Sequence, residues 1–271
     1  MIRKVVLISV GLLLVGAGAA FASLPPIDLT SLGATYTGAD NVVWNEIISA
    51  PTGTGVYNPF LRVQNSPNEQ GFNTDFGGPY DSHGADKVPL DDVSGIWTHS
   101  LKLGDLQVQN RGGIDYYVFT CDINEPAGGG QNLLSLDKLQ IYTSSDASAG
   151  VYSSMSQVTA GSTLRYDMDA SVDQTVYLDA NLQQGSGHDD FEMLVPVSKF
   201  AGAAATDNLI LYSGFGYTGG AYSADFTSAD GFEEWSAITG PNIPPPSAPE
   251  PTTLLLLGGG ALGLVASRRR K

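Results

Sequence analysis

The stretch Ile114-Asp115-Tyr116-Tyr117-Val118-Phe119-Thr120-Cys121 limits the available folds more than any other part of the chain. In an extended strand successive side chains point to opposite faces, so Tyr117, Phe119 and Cys121 share one face and Ile114, Tyr116 and Val118 the other. Both faces are apolar. Such a strand needs cover on two sides, which predicts a central position in a layered β structure. Around it lie short period-two runs rich in Val, Ile, Tyr, Phe and Thr, broken by clusters of Gly, Asn, Asp and Ser. These predict further strands at 41–48, 56–64, 101–109, 138–142, 163–169, 175–180, 191–197 and 209–212. No helical periodicity of useful length interrupts them. The expected fold class is all-β, a single antiparallel β-sandwich of jelly-roll-like type over residues 23–240, long enough to bury its own core. Within 101–108 the apolar positions switch phase across Gly104-Asp105, which predicts a β-bulge there.

Cys121 is the one cysteine of the chain, so no intramolecular disulfide can form. Its place in the doubly apolar strand predicts a small buried hydrophobe.

The two ends have a different composition. Residues 1–22 carry a basic tip (Arg3, Lys4), an apolar run and the small-residue exit Ala20-Phe21-Ala22, the pattern of a signal peptide cut before Ser23 by signal peptidase. Residues 241–248 form a Pro-rich linker, and with the triplet Pro249-Glu250-Pro251 it predicts an extended spacer of about 35 Å. A short apolar helix is expected at 252–266, followed by Arg268, Arg269, Arg270 and Lys271. With the body exported, that basic end stays on the cytoplasmic side. Fifteen helical residues cover only about 22 Å of a hydrocarbon core of roughly 30 Å, and four glycines weaken the helix further. Transient membrane insertion fits such a segment better than permanent anchoring.

The order Pro-Glu-Pro, short apolar helix, Arg cluster over 249–271 resembles the PEP-CTERM sorting signal of Gram-negative bacteria. That resemblance implies recognition and cleavage near the triplet by an exosortase, a membrane-embedded cysteine transpeptidase-like enzyme, and delivery to the outer surface or exterior. In this reading the tail is a substrate, with Pro249, Glu250, Pro251, Arg268, Arg269 and Arg270 as the processing signal and Ala20, Ala22 and Ser23 marking leader removal. The segments at 53–75, 95–106, 122–142, 185–196 and 230–235 look like the bodies of a group of PEP-CTERM-tailed secreted proteins, which implies a shared β fold and destination and brings no catalytic residues.

Charge narrows the partners. The chain has 13 Lys and Arg against 28 Asp and Glu, and six of the basic residues lie in the two processed ends. The remaining 7 against 28, Glu250 of the triplet included, give residues 23–267 a net charge of −21. Such a surface repels nucleic acid, whose binding rests on neutralising phosphate, and favours divalent cations.

Chemistry-bearing patterns are sparse. His83, His99 and His188 show no metal-ligand spacing, and no Gly-x-Ser-x-Gly elbow or phosphate-cradling loop occurs. Two carboxylate pairs, Asp190 with Glu192 and Glu233 with Glu234 beside Trp235, could in principle serve a glycosidase. In a chain this acidic, a solvated or cation-binding face is the better reading. Asp167, Asp169 and Asp173 imitate the start of an EF-hand, yet Val172 and Leu178 stand where glycine and glutamate are required. The expected structural Ca²⁺ site, the one cofactor considered, is Asp122, Asn124 and Glu125, with turn capping as the alternative role. Phe215, Tyr217, Tyr222 and Phe226 offer either a sugar-stacking platform, with Tyr217 and Tyr222 as the glycan contacts, or ordinary packing. The sequence therefore predicts an exported, non-enzymatic envelope or matrix protein with extracellular polysaccharide as a partner. The alternatives are a carbohydrate-binding module and a glycan-active enzyme.

Overall fold

The computed structural model describes residues 25–47, 58–76, 97–126, 130–183, 187–217, 226–229 and 231–240. In chain order their strands are β1 (Ile27–Asp28), β2 (Thr35–Thr37), β3 (Val43–Glu46), β4 (Leu61–Val63), β5 (Glu69–Phe72), β6 (Leu101–Lys102) and β7 (Gln109–Arg111). There follow β8 (Ile114–Ile123), β9 (Leu133–Ser144), β10 (Thr163–Asp167), β11 (Val176–Asp179), β12 (Phe191–Pro196), β13 (Asn208–Phe215) and β14 (Glu233–Ala237). The α-helix among the described residues is α1 (Met155–Gly161). The protein is thus all-β. The leader, the linker and the apolar segment at 252–266 lie outside the described residues, among which no helix is long and apolar enough to cross a membrane.

Two sheets are formed. One has the order β1-β11-β9-β13-β5, with β10 also on β9 and β6 on β13. The other has the order β2-β3-β12-β8-β14-β4, with β7 also on β8. From β11 to β14 successive strands change sheet. The pairing is antiparallel except that β1 lies parallel to β11, Ile27 opposite Val176, a departure from the wholly antiparallel expectation. That parallel pair ties the start of the described body to its middle, while β14 ties its end to β8.

The doubly apolar stretch is central, as its pattern requires. β8 lies between β12 and β14, with Phe119, Cys121 and Ile123 in the main core and Tyr116 and Val118 in a smaller cluster on the opposite face. Its entry is the two-residue turn Gly112-Gly113, with φ of +61° and +87°, values that suit glycine and match the twist of a tight hairpin. The main core also takes Leu134, Leu136, Leu139, Leu209 and Leu211 from the facing sheet. Phe191 meets Trp235 edge to face at 5.4 Å, and the Trp235 indole donates to Ser213 Oγ of the opposite sheet at 3.1 Å. Fully burying each such ring contributes up to about 3 kcal/mol.

Two local expectations change. At Gly104-Asp105 the chain makes a 3₁₀ turn (Leu103–Asp105), with Asp105 Oδ2 accepting from the Lys102 N–H at 2.9 Å. The phase switch records that turn, and glycine is needed because a Cβ on Gly104 would sit 2.8 Å from Ala205 O. The segment 147–161 folds as a 3₁₀ turn and α1, capped by Ser154, and covers Phe72, Tyr142 and Ile210 on the outer face of the first sheet.

Candidate functional site

The two sheets end together where β8 and β13 finish and β5 and β14 begin. Glu233, the first residue of β14, is opposite Ile123 and Val63 and shares their inward face. Glu69, the first residue of β5, is opposite Phe215 and points inward from the facing sheet. Glu125 comes from the loop after β8. The carboxylates of Glu69, Glu125 and Glu233 each place an oxygen within 4.8 Å of the other two, and all three residues are buried.

Backbone amides hold two of them. Glu69 Oε2 accepts from the Asn65 N–H at 3.1 Å, and Glu125 accepts the Ala229 N–H on both oxygens at 3.1 and 2.9 Å. Glu233 is fully enclosed, and neither of its oxygens has a hydrogen bond. The Asn124 amide lies near enough to favour its anion without reaching bonding geometry. Burial pushes the Glu233 carboxyl well above the usual range, and the charge of Glu69, then its side-chain contact, then the charge of Glu125 push the same way. Two like charges 4.8 Å apart repel by about 3 to 4 kcal/mol at an effective dielectric near 20. Three bare carboxylates do not coexist there. A proton or a cation must intervene.

A second acidic group lies on the neighbouring edge. Asp122, on the opposite face of β8 from Ile123, accepts from the Gly187 N–H at 2.6 Å. Burial raises its pKa to about 6, against the pull of the Gly187 amide and the Asn124 side chain. Asp190 accepts from the Ile123 N–H at 2.7 Å; burial raises it to about 9, with Asp122, Asp189 and Glu46 adding repulsion. Asp190 and Glu46 line a cavity of about 10 Å³, closed by Leu29, Ile123, Leu178 and Phe191. This is a place for a neutral, protonated acid.

The sequence-predicted ligands are therefore divided. Asp122 turns to the 187–188 loop, Asn124 donates to Phe232 O at 3.0 Å, and Glu125 faces Glu69 and Glu233. The signal for Glu233 was present in the sequence as the Glu233-Glu234 pair, but that for Glu69 was not, since nothing in Glu69-Gln70-Gly71-Phe72 announces a strand. Strand alternation sends Glu234 outward, opposite Arg62, while Glu192 bonds Asn45 at 2.9 Å and lies 3.9 Å from Arg111. The EF-hand-like acids are engaged by the chain itself: Asp167 accepts from Gln140, Asp169 from Lys138 and the Gln174 amide, and Asp173 lies 3.7 Å from the same Lys138. Cys121 is fully buried, and burial raises its thiol well above the ordinary value, so it stays protonated.

Of the aromatic group, Phe215 is core and the Tyr217 N–H donates to Asp137 at 2.9 Å, with the Tyr217 ring against Gly214. Phe226 stacks on Tyr177 at 3.9 Å. Tyr222, Pro249, Glu250, Pro251, Arg268, Arg269, Arg270, Ala20, Ala22 and Ser23 lie outside the described residues. A groove of about 210 Å³ lies between the β2–β3 hairpin and the turn after β10, lined by Tyr36, Asp40, Trp44, Tyr166, Asp167 and Gln174.

The architecture defines a two-sheet, all-β protein with an acid-lined end. Residues 247–271 match the family model of the PEP-CTERM protein-sorting motif. The chain thus carries the sorting signal of exosortase-substrate proteins, which implies export and sorting to the cell envelope or outer surface. It matches no curated protein and no solved structure.

Proposed function

We propose that this protein is a non-enzymatic component of the cell envelope or extracellular matrix. In this reading signal peptidase removes residues 1–22, the helix at 252–266 inserts transiently in the membrane, and exosortase cleavage near Pro249-Glu250-Pro251 releases a jelly-roll-like body. The observation that carries the reading is the sorting motif at 247–271, joined to a body whose candidate catalytic carboxylates are buried or engaged one by one. The net charge of −21 over residues 23–267 argues against nucleic acid and for a hydrated, polysaccharide-rich setting. Intact-mass measurement of the protein from cells and from medium tests it. The expected product begins at Ser23 and lacks the helix and basic tail; one that still ends at Lys271 refutes processing.

A second reading, a carbohydrate-binding module, is favoured by one observation, the groove in which Tyr36 and Tyr166 accompany Asp40, Asp167 and Gln174. Aromatic faces with a few polar groups suit sugar rings. Depletion of the protein by insoluble exopolysaccharide, lost on Tyr36→Ala and retained on Tyr217→Ala, would support this groove over the Tyr217 and Tyr222 surface. Retention by both variants would argue against it. Glycan turnover abolished by Glu192→Ala would instead indicate an enzyme.

A further inference from the structure

We propose that Glu69, Glu125 and Glu233 bind one divalent cation, Ca²⁺, that fastens the two sheets together at the acidic end of the sandwich. The group supplies oxygen donors and no nitrogen or sulfur, which selects a hard cation over zinc or copper. Two oxygens bound to one ion at about 2.4 Å lie at most about 4.8 Å apart, and every pair among the three carboxylates falls within that limit. The independent indication of a ligand is Glu233 itself, completely enclosed, aimed at the other two carboxylates, and without a hydrogen bond on either oxygen. A buried carboxylate in that state lacks a partner that the chain does not supply.

The ligands come from different layers. Glu69 belongs to the first sheet, Glu233 to the second and Glu125 to a loop held by the amide of Ala229, so one ion links three elements. Gly231 lets the chain before β14 pass Asn124 closely, since a Cβ there would lie 2.4 Å from Asn124 O; this brings Glu233 beside the Glu125 loop. Modules that function outside the cell bind Ca²⁺ with dissociation constants around 0.1 to 1 mM, so such a fastening closes on export.

The test uses the full chain, stripped with chelator and then titrated with Ca²⁺, with Mg²⁺ in parallel. With Ca²⁺ tenfold above its dissociation constant, the melting temperature should rise by about 3 to 6 °C. Terbium provides a direct probe: Trp235 lies two residues along the same strand face as Glu233, about 7 Å away, and should sensitise terbium emission that Ca²⁺ then displaces. Glu233→Gln should abolish both the thermal shift and the emission while melting, in chelator, at or above the unsubstituted chain, because a neutral amide relieves the repulsion. Glu69→Gln serves the same purpose if Glu233→Gln does not fold. Glu192→Gln, on the outer face, should keep the full response. No thermal shift up to about 10 mM Ca²⁺, or a shift that survives both inward substitutions, overturns the proposal and leaves the three acids sharing protons.

Discussion

The middle and the end of the sandwich are filled by the same strands in opposite ways. Along β14 an inward Trp235 packs against Phe191 and Phe215, while two residues earlier an inward Glu233 faces Glu69 and Glu125. Along β8 the inward row Phe119, Cys121 and Ile123 leads directly to the Glu125 loop. The contrast separates two kinds of stability. Ring and methyl burial in the middle depends weakly on solution conditions, whereas the end depends on what neutralises its carboxylates.

The largest break should come from the apolar side. Trp235→Ala empties the centre of the core and leaves the buried Ser213 hydroxyl without its donor, and should lower unfolding free energy by about 3 to 5 kcal/mol in denaturant titrations, equally with chelator or Ca²⁺. Gly231→Ala attacks the end instead. Its Cβ collides with Asn124 O, for an expected loss of about 1 to 3 kcal/mol together with a weakened Ca²⁺ response in the melting assay.

Acidity sharpens the comparison. The folded pKa of Asp190, about 9, and of Asp122, about 6, lie above the ordinary value near 3.9, so the folded chain holds protons that the unfolded chain releases. Their stabilising contribution is full below about pH 4 and is lost as pH rises through 6 for Asp122 and through 9 for Asp190. Melting of the chelated chain should therefore fall from pH 5 to pH 9, each group contributing at most about 1.4 kcal/mol per pH unit. Asp122, Asp189 and Glu46 face Asp190 and oppose its ionisation, so Asp190→Asn should flatten the upper part of that decline. The smallest effect belongs to the outer face: Glu192→Ala, beside a half-exposed Arg111, should change stability by less than about 1 kcal/mol.

The carboxylates also explain which strands the sequence concealed. β8, β11 and β12 show runs of Val, Ile, Leu, Phe and Tyr and are legible from alternation alone. β5 reads Glu-Gln-Gly-Phe and β14 Glu-Glu-Trp-Ser-Ala, too polar to register as strands, although β14 pairs with the central β8. They are polar because each donates an inward glutamate to the acidic end. The same concealment misplaced the metal ligands: Asp122, Asn124 and Glu125 are adjacent in sequence, but strand pairing and chain direction send Asp122 to the Gly187 amide and only Glu125 toward Glu69 and Glu233.

Sequence alone determined the all-β character, the central place of residues 114–121, the buried thiol and the sorting signal at 247–271, because each depends on local alternation, composition or a contiguous motif. Only the tertiary structure decided that Glu69 and Glu233, from different sheets, share one buried space with Glu125. Alternation assigns a side chain to a face of its own strand, and it carries no information about which residue of the opposing sheet will meet it there.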